Sequence, residues 1–207
     1  STVITEEGID VLAASLSPDV GKKVAEFTAN AMGGSMPFHV ALANRLDIMK
    51  PSRKDIDDCL KNHPLKFSPG LEEFINALRN QGTVVYLVSG GFRQMIDPVA
   101  EILGVDTKTQ VYANNILFDQ AGEYKNFDEK EPTSRAGGKA RVVGMLKETM
   151  KYKSIVMIGD GATDMEARPP ADAFIGYGGI AVRAAVKEGA DWFVTDFNDL
   201  INVVKSE

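Results

Sequence analysis

The segment Met157-Ile158-Gly159-Asp160-Gly161-Ala162-Thr163-Asp164 places two carboxylates in a short, glycine-flanked stretch. It follows Ser154-Ile155-Val156, so a brief apolar run ends on an acid. That pattern predicts a buried strand stopping at a carboxyl-end loop, where open α/β sheets place their chemistry. Asp160 and Asp164 in one turn suit a hard cation such as Mg2+, which prefers oxygen ligands. A dinucleotide-binding turn is the competing reading. Against it, Thr163-Asp164 stands where a third glycine is needed, and Asp160 would repel a pyrophosphate. A purely structural Asp-Gly turn stays open.

Two other places could bind an anion. Ser89-Gly90-Gly91-Phe92 directly follows the apolar run Val84 to Val88, and a hydroxyl beside adjacent backbone N–H groups can hold a phosphate. An ordinary Ser-Gly-Gly turn is the alternative. In Gly137-Gly138-Lys139 a lysine opens a helix, which the helix dipole disfavours unless an anion lies nearby. A solvated lysine is the alternative there. A metal, a hydroxyl, backbone amides and a lysine are together the parts that stabilise a transferring phosphoryl group. That chemistry requires Ser89, Lys139 and Asp160 to converge on one spot. No nucleophile with a base is evident. His39 and His63 both fall in a helical stretch and read as structural or surface residues, and no zinc spacing occurs.

The elements that must position these residues are legible from periodicity. The chain has 207 residues, 44% hydrophobic and 25% charged, enough for one domain with an insert. Its net charge of -6 gives no nucleic-acid footprint. Cys59 is the single cysteine, which fits a reducing compartment, and it reads as a small buried filler. No apolar run reaches membrane-spanning length. Residues 6–62 carry helical signals: 6–16, from about Pro18 to Asn30, a segment holding Phe38, Ala41, Leu42 and Leu46, and a helix opened by Ser52 with Asp55 as a capping box. They suggest a small bundle. After Pro64 strands and helices alternate. Ser68 is the expected N-cap of a helix with Pro69 at its first position. Residues 84–88 read as a strand, 97–103 as a helix stopped by Gly104, and Val111 to Tyr124 as a hairpin around 119–122. Residues 137–150 read as a helix, with strands at 155–158, 174–175 and 192–194. This alternation predicts an α/β fold with a doubly wound parallel sheet.

Taken in order, Ser89-Gly90-Gly91-Phe92, Gly138-Lys139 and Gly159-Asp160-Gly161-Ala162-Thr163-Asp164 resemble the later motifs of the haloacid dehalogenase superfamily of phosphatases. Ala31-Met32-Gly33-Gly34 with Pro37-Phe38, Arg45, and Glu6-Glu7-Gly8-Ile9-Asp10 narrow the resemblance to its phosphoserine phosphatase family, especially plant-type members. The resemblance implies a Rossmann-like core, residues 1–4 and 66–207, with a helical cap at 5–65 inserted after the first strand and a small β-hairpin insert. It implies Mg2+-dependent hydrolysis of O-phospho-L-serine to L-serine and phosphate, the end of serine biosynthesis. On this resemblance Asp160 would bind Mg2+, with Asp164 supporting it. Ser89 and Lys139 would hold the phosphate with help from Gly90 and Gly91, and Thr163 would lie at the substrate. In the cap, Glu7 would meet the substrate ammonium and Arg45 its carboxylate, beside Met32, Gly33 and Phe38. An arginine can grip a carboxylate with two hydrogen bonds.

One departure matters. The family's first motif, Asp-x-Asp-x-Thr, supplies its nucleophile and its general acid and base. Ser1-Thr2-Val3 match the residues just after the second aspartate. The expectation is therefore a truncated part of a longer protein, with most of the first strand missing and apolar surface exposed on that strand's neighbours. Residues 1–207 by themselves are not expected to turn over by the family's route. The alternatives are a non-catalytic ligand-binding protein on the same fold and a phosphatase for another small phosphomonoester. The order of the domains suggests closure of the cap about hinges near Thr5 and Leu65, and the plant-like resemblance with a single cysteine suggests a cytoplasmic or plastid-stroma setting. A homodimer is compatible with the resemblance.

Overall fold

A computed structural model describes residues 1–31 and 36–206. The expected cap residues Met32 and Gly33 lie outside the described residues. The fold is mixed α/β with parallel ladders, and the chain divides into two compact units. No helix among the described residues is long and apolar enough to cross a membrane.

The first unit comprises 1–5, 66–86 and 139–207. Its sheet is β5 (Val156–Gly159), β6 (Ala173–Tyr177) and β7 (Trp192–Val194), parallel and in that order. Short helices α8 (Ala162–Met165) and α9 (Ala184–Gly189) make the connections. The helices α5 (Leu71–Asn80), α7 (Gly138–Met150) and α10 (Phe197–Ser206) complete this part of the chain. Phe197 stacks between Tyr177 and Phe74, with ring centroids 4.5 and 5.4 Å away. Met157, Phe174, Val143 and Val186 form a second apolar cluster. These aromatic and aliphatic contacts fix the strand ends that carry the polar residues. Val84 and Val156, in contrast, are exposed.

The second unit comprises 6–65 and 87–138. Its helices are α1 (Gly8–Leu16), α2 (Pro18–Ala31), α3 (Phe38–Met49), α4 (Arg53–Asn62) and α6 (Arg93–Ile102). The strands β1 (Leu87–Phe92) and β2 (Val111–Asn114) pair in parallel, and β3 (Ile116–Phe118) pairs antiparallel with β4 (Tyr124–Phe127). The helices of 6–65 and residues 87–138 fall in one unit. The reason is one shared core: Leu12, Leu42, Leu46 and Ile56 from the helices pack with Phe92, Met95, Ile116 and Phe127.

Several expected boundaries shift. The helix assigned to Ser68-Pro69 begins at Leu71, because Gly70 takes a left-handed turn with φ of 78°. The carbonyl of Ser68, not its hydroxyl, accepts the Leu71 N–H. The strand expected at 84–88 has its ladder at Leu87–Phe92, since only from Leu87 does a partner strand run alongside. α6 starts at Arg93 rather than Asp97, and Pro98 sits inside it. Arg93 anchors that earlier start through the Thr107 and Val111 carbonyls. Val111–Asn114 is not a hairpin arm; the hairpin joins β3 to β4.

The capping box on α4 is present: the Asp55 N–H donates to Ser52 Oγ at 3.1 Å, and the Ser52 N–H donates to the Asp55 carboxylate at 2.8 Å. Replacing Ser52 by alanine should lower unfolding free energy by about 1 kcal/mol, the usual cost of losing such a cap. Urea denaturation reads this directly, and an unchanged midpoint would show that the box contributes nothing.

Candidate active site

Asp160 stands one residue beyond the carboxyl end of β5. It is 7% exposed. Thr2 Oγ1 donates to its Oδ1 at 2.6 Å, and the Ser1 ammonium reaches the same oxygen at 3.0 Å. Arg183, at the amino end of α9, donates through Nη1 to the Asp160 carbonyl at 2.7 Å and also to Oδ2. Burial opposes ionisation of this carboxyl, but the Thr2 hydroxyl, the ammonium and Arg183 outweigh it and hold its pKa well below the usual carboxylate range. The ammonium acts only where Ser1 is the first residue; Thr2 and Arg183 act regardless.

Asp164 lies on α8 and is 6% exposed. Its Oδ1 accepts Lys139 Nζ at 2.6 Å, and its Oδ2 accepts the Gly161 N–H at 3.1 Å. Lys139 is the second residue of α7, where the dipole disfavours a cation, so Asp164 supplies the anion that the sequence called for. This packing exists because position 159 is glycine. A Cβ there would overlap the Cβ and Cγ of Asp164 and approach Oδ2 to 2.5 Å. Thr163, on the same helix, is exposed.

The structure thus brings Lys139, Asp160, Thr163 and Asp164 together in the first unit. Ser89, Gly90, Gly91, Glu7, Phe38 and Arg45 belong to the second. There, Ser89 Oγ accepts the Gly91 N–H at 3.0 Å, so the hydroxyl hydrogen is left to donate elsewhere. A Cβ on Gly90 would lie 3.2 Å from Phe38 Cζ, which sets the expected pocket residue against Gly90. Glu7 and Arg45 share an electrostatic neighbourhood with Asp10. Burial raises the Asp10 pKa, Glu7 raises it further and Arg45 lowers it. Burial lowers the Arg45 pKa against the pull of Asp10, and Arg45 Nε is buried without a hydrogen-bond partner. His39 and His63 are exposed and Cys59 is buried, in keeping with the structural readings of all three.

Among the described residues no group of three or more His, Cys, Asp or Glu side chains could hold a metal. Asp160 nevertheless offers an ionised, buried oxygen donor, which suits Mg2+ because that ion commonly takes one or two carboxylates and completes its shell with water and phosphate oxygens. Sequence reasoning missed Arg183 and Thr2. Both are separated from Asp160 along the chain; Arg183 falls in no motif, and Thr2 matches only the closing threonine of the family's first motif. Only the contact of α9 with the end of β5 reveals the arginine.

Comparison with known proteins agrees with the motif reading. The family described as haloacid dehalogenase-like hydrolase matches residues 4–172. Phosphoserine phosphatase, chloroplastic, of Arabidopsis thaliana is 52% identical over 204 residues, 98% of this chain and 68% of that one. Phosphoserine phosphatase of Bos taurus is 47% identical over 205 residues, 99% of this chain and 90% of that one. A solved substrate-bound phosphoserine phosphatase complex superposes with a TM-score of 0.82 at 25% identity, covering 98% of this chain and 93% of that chain.

The low pKa of Asp160 ties stability to pH. A carboxyl whose pKa is lower folded than unfolded stabilises the fold above its unfolded value, near pH 4, and loses that contribution as the pH falls toward the folded value. Thermal unfolding followed from pH 6 downward should therefore show a fall below about pH 4 that is shallower in Asp160→Asn. Identical slopes would contradict the assigned interactions.

Proposed function

The chain belongs to the haloacid dehalogenase-like hydrolases and, within them, to the phosphoserine phosphatases, and on that premise we propose how its residues serve the hydrolysis of O-phospho-L-serine to L-serine and phosphate. The observation that carries the assignment of roles is the linked set Asp160, Asp164 and Lys139 at the end of β5. A cation held against a buried carboxylate is preorganised, so it need not reorient when negative charge builds on a phosphoryl group. Lys139 neutralises that charge. Asp164 holds the lysine and, through Gly161, the turn that carries Asp160. The Ser89 hydroxyl binds phosphate oxygens with help from Gly90 and from Gly91, whose N–H donates to Ser89 Oγ and so aims the hydroxyl hydrogen outward. Thr163 contacts the substrate.

Asp160 is the residue that would hold Mg2+, which when bound neutralises phosphoryl oxygens and orients them. Arg183 and Thr2 keep that carboxylate ionised and fixed in direction. The family's route also needs an attacking carboxylate and a general acid and base, and beside them the residues named here bind and orient the substrate. Glu7 takes the substrate ammonium and Arg45 its carboxylate, with Phe38 beside them. The buried, unpartnered Arg45 Nε supports this, because such a donor is costly unless an acceptor reaches it. Phosphoserine is a small molecule, and the two-ended recognition of a zwitterion suits it. A cytoplasmic or plastid-stroma setting remains part of this proposal.

Full-length protein assayed with Mg2+ should release phosphate from phosphoserine well above its rate on sugar phosphates. The absence of that preference would refute the substrate. Lys139→Ala should cut kcat by on the order of a hundredfold, about 3 kcal/mol, the scale of one preorganised donor. Unchanged turnover would remove Lys139 from the site. Arg45→Ala should lose phosphoserine turnover selectively while turnover of a generic aryl phosphate persists. Equal loss of both would make Arg45 structural.

A further inference from the structure

Ser89, Gly90 and Gly91 lie where the β1 ladder breaks register. Pairing with β2 runs Leu87 to Val111 and Val88 to Tyr112, then jumps to Phe92 opposite Asn114. Three residues of β1 thus face a single residue of β2, Ala113. Such bulges re-aim the chain and recur beside active sites. They also take backbone polar groups out of the regular ladder, and those groups need other partners.

Asn114 is one such partner. It is 0% exposed. Its Nδ2 donates to the Gly90 carbonyl at 2.7 Å. Its Oδ1 accepts the Thr133 hydroxyl at 3.0 Å, and Thr133 is 3% exposed. Because the Gly90 carbonyl can only accept, the amide's nitrogen end must face it, which leaves Oδ1 to accept from the Thr133 hydroxyl. Thr133 sits in a 3-10 turn, Pro132–Ser134. Gly138 packs on that turn so tightly that a Cβ there would lie 2.5 Å from the Pro132 carbonyl oxygen and 2.7 Å from Thr133 Cα. A continuous chain of contacts therefore runs from Gly90 through Asn114 and Thr133 to Gly138, the residue before Lys139 in sequence.

We propose that Asn114 is a positioning residue: its amide, locked by Thr133, holds the Ser89-Gly90-Gly91 bulge in the shape that receives phosphate oxygens. The inference rests on the phosphatase reading, since it gives the bulge a phosphate to receive. Asn114 touches no reacting atom and acts through Gly90. A buried amide present only for stability would affect both ends of the substrate alike. A positioning amide affects the phosphate end alone.

The test uses inorganic phosphate and, separately, L-serine, titrated calorimetrically into the full-length protein. Asn114→Leu keeps the approximate volume but removes both hydrogen bonds, and should weaken phosphate binding about tenfold while leaving L-serine binding unchanged. Thr133→Val removes one of the amide's two anchors and should weaken phosphate about threefold, and the double variant should be no weaker than Asn114→Leu alone. Unchanged phosphate affinity in Asn114→Leu, or parallel losses for phosphate and L-serine, overturns the proposal. Where Asn114→Leu fails to fold, Thr133→Val decides, and unchanged phosphate affinity there overturns it equally. A parent protein that binds phosphate yet releases none from phosphoserine would sink the hydrolytic function and leave the Asn114 comparison standing. A parent that binds no phosphate overturns the positioning role as well.

Discussion

A nearly buried ion pair, Lys139 to Asp164, is the constraint on which the rest of the site depends. Removing two charges from water is costly, and the cost is offset only when the geometry is good and the remaining polar atoms are satisfied. Both conditions are met: the pair closes at 2.6 Å, and the second carboxylate oxygen accepts the Gly161 N–H. The pair also ties the start of α7 to the turn after β5, two segments that share no backbone hydrogen bond in the sheet. Gly159 makes it possible, since any side chain there would occupy the place of Asp164. The same turn presents Asp160, so one glycine governs the setting of both acids.

The two acids have different electrostatic tasks. Burial opposes ionisation of Asp160, but the Thr2 hydroxyl, the Ser1 ammonium and Arg183 outweigh it, which leaves its negative charge as an asset for a hard cation. Asp164 is committed to the lysine. That division leaves Asp160 uncommitted to the lysine, although the two carboxylates lie on one turn. In the second unit the charge pattern suits a small zwitterion: Glu7 and Arg45 both act on Asp10, and Arg45 keeps a buried donor in reserve. A single apolar core joins the helices around Leu12 and Leu46 to β1 and the hairpin, so these charges are set by the same packing that shapes the Ser89 bulge.

Much of this was legible in the sequence where the signal is local. The apolar spacing of α1 to α4, the Ser52 and Asp55 cap, and the glycine-flanked acid after Ile158 each declare themselves within a few residues. Local signals failed where a tertiary partner decides. Ser68-Pro69 has the composition of a helix start, but Gly70 turns the chain first. Val84 to Tyr86 has strand composition without a ladder, because strand pairing is a property of two segments. Val111 to Asn114 has hairpin composition, yet its partner is β1. Arg183 and Asn114 carry no motif at all. Their meaning lies in contacts with Asp160 and Gly90, far away along the chain.

The coupling between Lys139 and Asp164 offers the most direct test of the central claim. Single variants Lys139→Met and Asp164→Asn and their combination should be compared in kcat/KM for phosphoserine, using the full-length protein with Mg2+. If Asp164 works by holding the lysine, the double variant should be no slower than the slower single variant. Fully additive losses would contradict the account, because the two residues would then act independently.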